Sequence, residues 1–199
     1  MNTYKYYKIY KPYGMLSQFT GGHGQAVLGE LHSFPKDIYP VGRLDSDSEG
    51  LLLLTNDKRI NNLLLDPKNG HKRTYWSQVE GIATEEAVKI LENGVTISIE
   101  GKEYHTKPAK TKLISEPKNL PERKPPVRFR LNKPTSWIEL TLTEGKNRQV
   151  RRMTAKAGFP TLRLLRVSIE GIKLDKMQPG DVQEMDKTSF IKQLGLSID

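Results

Sequence analysis

Residues 42–55 read GRLDSDSEGLLLLT: Gly42, Arg43, Leu44, Asp45, Ser46, Asp47, Ser48, Glu49, Gly50, four leucines and Thr55. The leucine run 51–54 reads as a buried extended segment, and 41–44 as a second one ending at Asp45. Between them lies a short polar loop, so the Asp45 carboxylate projects from a rigid scaffold into whatever the loop borders. Two other readings fit the same letters. Residues 45–50 resemble the first half of a calcium-binding helix–loop–helix, but Asn56 stands where the bidentate Glu is needed and no amphipathic helix precedes the loop. The other is an ordinary acidic turn.

Outward from this stretch, strands and helices alternate without a regular βα repeat. Strands are predicted over 4–10, 73–80, 137–143 and 161–169, and a hairpin over 96–99 and 102–107 around Glu100-Gly101. Helices are predicted over 26–32, 56–65, 84–93, 147–157 and 189–194. Thr84 supplies an N-cap, Glu85 and Glu86 complement the dipole, and Gly94 a left-handed C-cap. Residues 14–24 read as a loop. Six of the twelve prolines fall between 108 and 134, which predicts an irregular connector there. The pattern predicts an α+β fold with a largely antiparallel sheet. At 199 residues, the expectation is a single catalytic domain over 1–199, made of two α/β subdomains around a basic cleft.

Charge is distributed unevenly. Lys and Arg number 32 against 23 Asp and Glu, a formal net charge of +9. Residues 107–130 hold eight cations (Lys107, Lys110, Lys112, Lys118, Arg123, Lys124, Arg128, Arg130) against two acids, and 144–166 hold seven against Glu144 alone. Residues 41–57 invert the balance, with Asp45, Asp47, Glu49 and Asp57 against Arg43. If the fold brings this acidic island and the basic segments together, the result is a cationic cleft holding carboxylates, which suits chemistry on a nucleic acid better than simple binding.

Mean hydropathy is −0.60, and no stretch approaches the ~18 apolar residues of a membrane span. The N-terminus lacks the apolar core of a secretory signal, so a cytoplasmic protein without membrane association is expected. With no cysteine, disulfides, thiolate metal sites and thiol nucleophiles are excluded. His23, His32, His71 and His105 show no metal-ligand spacing. No metal is expected.

EGKNRQVRRM, residues 144–153, places four cations at a helix start just after Gly145. Backbone N–H groups and forked guanidinium donors there favour phosphate or carboxylate. With Val150, Met153, Thr154 and Ala157 forming the inner face, Arg151 falls at its border, within reach of a buried acid. A solvated basic helix face is the plain alternative. Tyr75, on the strand that begins Arg73-Thr74, reads either as core or as a ring that stacks on a base. KPYG at 11–14 reads as a strand-ending turn.

Taken together and in this order, the segments KPYG (11–14), GRLDSDSEGLLLLT (42–55), RTY (73–75), KPPVRFR (124–130), EGKNRQVRRM (144–153) and LLRVSIEGIKL (164–174) resemble the RsuA branch of the RNA pseudouridine synthases. The likeness runs from Lys11 to about Gly180. It implies the pseudouridine synthase catalytic fold and isomerisation of a specific uridine in large-subunit ribosomal RNA by a monomer, without a cofactor. In that family the Asp of the GRLD motif is the nucleophile, matching Asp45. The family's base-contacting Tyr matches Tyr75, and the Arg that pairs with the catalytic Asp matches Arg151. Arg43 is associated with holding the flipped-out nucleotide, and Lys11, Arg73, Lys146, Arg148 and Arg152 are the expected substrate contacts. Two departures stand out. Only ten residues precede Lys11, so no N-terminal S4 RNA-binding domain is expected, and Arg73 stands where Lys is usual, keeping the charge but not its donor geometry.

Isomerisation breaks N1–C1′, turns the uracil and joins C5 to C1′, with no net redox change or hydrolysis. An ionised Asp45 serves at C1′, at the base, or by removing a ribose proton, and the sequence leaves these three open. The rival class is a non-catalytic RNA-binding protein, which has no use for an acid in a cationic cleft; a calcium-modulated binding module is a third.

Overall fold

The computed structural model describes residues 4–21, 24–128 and 133–198. In chain order the strands are β1 (Tyr6–Lys11), β2 (Tyr39–Pro40), β3 (Glu49–Thr55), β4 (Arg73–Glu80), β5 (Thr96–Ile99), β6 (Lys102–His105), β7 (Lys110–Ile114), β8 (Thr135–Leu142), β9 (Thr161–Ile169), β10 (Ile172–Lys173) and β11 (Val182–Met185). The helices are α1 (Lys58–Leu65), α2 (Glu85–Asn93), α3 (Gln149–Lys156) and α4 (Lys187–Leu194). The fold is α+β with a mostly antiparallel sheet, as the mixture of elements predicts. Among the described residues no helix is long and apolar enough to cross a membrane. The chain forms two compact units, Met1–His71 with Arg166–Asp199, and Lys72–Leu165.

In the first unit β1 pairs antiparallel with β3, from Tyr6 opposite Thr55 to Lys11 opposite Gly50, and on its other side with β11. Every residue of β1 and β3 is buried. That is why Leu51–Leu54 are continuous rather than alternating: both faces of the strand are covered. Leu52 and Leu54 join Tyr7, Ile9, Met15, Leu28 and Ile38 in one core. On the opposite face the Tyr6 ring meets Phe190 of α4 at 4.9 Å between centroids. Each of the four leucines, at 0% exposure, contributes on the order of 1.5–3 kcal/mol by burial. Asp57 caps α1 by accepting from the Arg59 N–H. Its carboxylate also accepts from the Tyr6 hydroxyl at 3.0 Å, and the Arg59 guanidinium holds it below the usual carboxylate range.

In the second unit β4, β8 and β7 pair antiparallel, with Tyr75 opposite Leu140 and Leu113 opposite Ile138. The core here joins Val79, Leu91, Ile97, Ile138, Leu140 and Met153, from strands, the β5–β6 hairpin and helices α2 and α3. Thr84 caps α2 as predicted.

Several expectations are corrected. The helix expected over 26–32 is a single 3-10 turn, Leu28–Glu30, because Gly29 in its centre and the β-branched Val27 weaken a stretch too short to offset helix nucleation. Residues 41–44 are not a strand: the two-residue β2 precedes them, although the Val41 N–H still donates to the Leu53 carbonyl. The connector 108–134 contains β7, in the proline-free stretch 109–116. Gly94 has φ +83° but ψ 156°, outside the left-handed helical region. A Cβ there would overlap the Thr106 carbonyl oxygen, so close backbone approach requires its glycine.

Candidate active site

The Asp45 loop belongs to the first unit. Asp45 is half-buried and Arg43 exposed. The Ser48 N–H donates to the Asp45 carbonyl at 3.0 Å, closing a turn, and Gly50 is the second residue of β3. Gly50 has φ +103°, and a Cβ on it would overlap the Arg166 carbonyl oxygen. Only glycine lets β3 start this close to the Arg166 backbone. Arg166 is itself buried, and its Nε donates to the Leu51 carbonyl at 2.8 Å.

Lys11 departs from its expected role. Its side chain is 0% exposed, and its ammonium donates to the carbonyls of Pro12 at 3.0 Å and Met15 at 2.7 Å. Burial pushes its pKa down to about 8, against the opposing pull of Glu49, Asp47 and Asp45. Lys11 therefore ties down the KPYG turn, and a fully enclosed ammonium is not placed to meet a phosphate. The Gly14 N–H of that turn donates to the Ser46 carbonyl at 2.7 Å. This connects the first motif to the loop that carries Asp45.

The second unit carries Arg73, Tyr75, Lys146, Arg148, Arg151 and Arg152. Arg73 is buried at the start of β4, and Tyr75 is half-buried with its ring packed on the core. Arg151 is half-buried on α3, and its guanidinium donates to the Thr161 carbonyl at 3.3 Å. The neighbouring Val150, Met153 and Thr154 are buried, so the helix face is as predicted. Arg148 is exposed and precedes α3 with φ 52° and ψ 32°, a left-handed conformation that costs a non-glycine residue about 1 kcal/mol. The Lys146 ammonium sits 4.7 Å from the centroid of the Tyr104 ring. Arg152 donates to the carbonyls of Asn147 and Ser98, anchoring the loop to the β5–β6 hairpin.

What holds this loop is a residue that the sequence pattern does not single out. Glu144 is buried, and its carboxylate accepts from the Tyr104 hydroxyl at 2.5 Å, the Lys107 N–H at 2.9 Å and Gln149 Nε2 at 2.6 Å. The hydrogen bond to Glu144 pushes the Tyr104 hydroxyl up to about 12. The Glu144–Gln149 bond joins two side chains across the turn before α3, a pairing that no standard helix-start pattern marks in the sequence. Among the described residues no group of three or more His, Asp or Glu converges in a way that could hold a metal ion.

Residues 5–156 match the family described as RNA pseudouridylate synthase. The chain belongs to this family. It is thus an RNA pseudouridine synthase, an isomerase, and the Asp45 loop, β4 and the loop before α3 all lie within the matched span. The ribosomal large subunit pseudouridine synthase E of Vibrio vulnificus (strain CMCP6) is 49% identical over 179 residues, 90% of this chain and 74% of that one. The protein of the same name from Xanthomonas axonopodis pv. citri (strain 306) is 46% identical over 85% of this chain and 87% of its own. Ribosomal large subunit pseudouridine synthase B of Bacillus subtilis (strain 168) is 39% identical over 90% of this chain and 67% of its own. A crystal structure of a pseudouridylate synthase superposes with a TM-score of 0.79 over 98% of this chain and 75% of that one, at 24% identity. It shares the pseudouridine synthase fold.

Proposed function

We propose that this pseudouridine synthase converts one uridine of large-subunit ribosomal RNA to pseudouridine, with Asp45 as nucleophile and no cofactor. The observation that carries the choice of RNA is the 45–49% identity, over 85–90% of this chain, to relatives named as large-subunit synthases E. For the nucleophile, support comes from the Asp45 loop: a half-buried carboxylate on a segment whose neighbours on both sides are hydrogen-bonded in place. Asp45 attacks or abstracts, N1–C1′ breaks, the uracil turns, C5 joins C1′, and the C5 proton leaves to a weak base, for which Tyr75 or the released carboxylate serves. Arg151 is the cation proposed to keep the nucleophile ionised. Arg43 secures the flipped-out state, and Arg73, Lys146, Arg148 and Arg152 serve the RNA backbone. The chain works as one catalytic domain, as a monomer, in the cytoplasm.

The test is a map of pseudouridines in ribosomal RNA from cells with and without the gene. Loss of one large-subunit pseudouridine is expected, restored by the wild-type chain but not by the Asp45→Asn variant. A large-subunit map that does not change contradicts the proposal.

A further inference from the structure

Asp45 sits between two residues that are held by one and the same loop. Leu44, just before it, donates its N–H to Ser17 Oγ at 3.0 Å, and the Ser17 hydroxyl donates back to the Leu44 carbonyl at 2.8 Å. Ser46, just after it, accepts at its carbonyl from the Gly14 N–H at 2.7 Å. A serine hydroxyl is both donor and acceptor, so one side chain satisfies both backbone groups of Leu44. This replaces the ladder partner that Leu44 lacks, since it lies outside β2 and β3. Ser17 is 7% exposed and Leu44 8%. Bulk water therefore does not compete for these bonds.

The loop that carries Ser17 is itself fixed. The Lys11 ammonium holds the carbonyls of Pro12 and Met15. The Leu16 N–H donates to the Ala26 carbonyl, and the Gln18 carbonyl accepts from the Leu28 N–H. Ser17 thus lies between two backbone tethers, and its hydroxyl passes that rigidity to the peptide leading into Asp45.

We infer that Ser17 is a positioning residue for Asp45: its hydroxyl, through the Leu44 backbone and together with Gly14 on the other side, fixes where the Asp45 carboxylate stands. The inference rests on Asp45 being the nucleophile. Ser17 touches no reacting atom, so its contribution is to the chemical step and not to RNA affinity. Misplacement of a reacting group by about 1 Å costs on the order of 100-fold in rate.

Single-turnover tritium release from 5-tritiated ribosomal RNA fragments, filter binding and thermal unfolding on Ser17→Ala, Ser17→Thr and Asp45→Asn test this. Ser17→Ala is expected to slow the single-turnover rate by roughly 10- to 100-fold while RNA affinity stays near wild type; the unfolding midpoint falls, because the Leu44 N–H and carbonyl lose their buried partner, but stays well above the assay temperature. Ser17→Thr, which keeps the hydroxyl, is expected to recover most of the rate. A wild-type rate in Ser17→Ala overturns the inference. So does a loss of rate matched by an equal loss of RNA affinity, or a Ser17→Thr variant as slow as Ser17→Ala. Turnover by Asp45→Asn instead overturns the nucleophile assignment, whatever Ser17→Ala does.

Discussion

Gln149 closes the turn before α3 from both ends: its Nε2 donates to Glu144 Oε1 at 2.6 Å, and its own Oε1 accepts the Lys146 N–H at 2.9 Å. Between these bonds the chain runs through Arg148 in the left-handed region and enters the helix that carries Arg151. Glu144 also receives the Tyr104 hydroxyl and the Lys107 N–H, so a single buried carboxylate joins the hairpin, the start of the connector and the turn.

Replacing Glu144 by Ala leaves three donors without their acceptor in a part-buried setting. The expected cost is roughly 2–4 kcal/mol of stability, from unmet buried hydrogen bonds. Urea unfolding measures it, and the Tyr104 hydroxyl, freed of its acceptor, should titrate closer to 10 than to 12. A change in stability below about 0.5 kcal/mol, the scale of ordinary surface substitutions, contradicts the hub role.

Lys11 makes stability depend on alkaline pH. Its folded pKa, about 8, lies below the ordinary 10.5 because burial disfavours the ammonium. The unfolded chain therefore binds more protons between these values, and stability rises with pH through that window. Below pH 8 the burial penalty is fully present, with an upper bound of about 3 kcal/mol. Comparing unfolding free energies of wild type and Lys11→Met at pH 7, 9 and 10.5 isolates this. The wild type should gain on the variant as pH rises, and a constant difference refutes the assignment.

The basic connector divides into exposed and structural cations. Arg123 is buried, with its guanidinium donating to the carbonyls of Pro125 and Pro126, and Arg163 is buried with a bond to the Pro121 carbonyl. Lys118, Lys124 and Arg128 are exposed, while Arg130 lies outside the described residues. Neutralising Lys118, Lys124 and Arg128 together should weaken binding to a folded ribosomal RNA fragment. Its salt dependence should flatten by roughly 0.9 in log–log slope for each duplex phosphate that the variant no longer neutralises. Chemistry on bound RNA should change little. An unaltered slope places the docking surface elsewhere.

Arg151→Ala is expected to lower the single-turnover rate by at least roughly 100-fold, an effect on the scale of removing an electrostatic stabiliser from an active site. RNA affinity should stay within a few-fold of wild type. If affinity collapses while bound RNA still reacts at the normal rate, Arg151 binds phosphate and the proposed pairing with Asp45 is wrong.

The sequence spoke most clearly where burial and capping impose a pattern. β4 and β9 fall at the expected boundaries, and α2 begins at its Thr84 cap. The leucine run announced β3 because a strand covered on both faces has no polar positions to spare. β7 was hidden by the prolines around it, since proline density describes the flanks and not the five residues between. β11 escaped because VQEM is too short and polar to read as a strand; pairing with β1 makes it one. Of the proposed functional residues, Asp45, Tyr75 and Arg151 were legible as residue types in motifs. Ser17, Glu144 and Gln149 were not, because a side chain that holds backbone groups leaves no periodic trace. The burial of Lys11 was hidden for a related reason: charge suggests solvent, and only the tertiary structure reveals an enclosed ammonium.

The most direct test of the account is tritium release by Asp45→Asn from 5-tritiated ribosomal RNA, paired with filter binding on the same preparation. Asn keeps the shape of the side chain and removes the ionisable carboxylate, one negative charge and no phosphate ligand. With Asp45 as nucleophile, no release is detectable under single-turnover conditions, and RNA affinity equals wild type or is slightly tighter. Substantial release by Asp45→Asn would contradict that role.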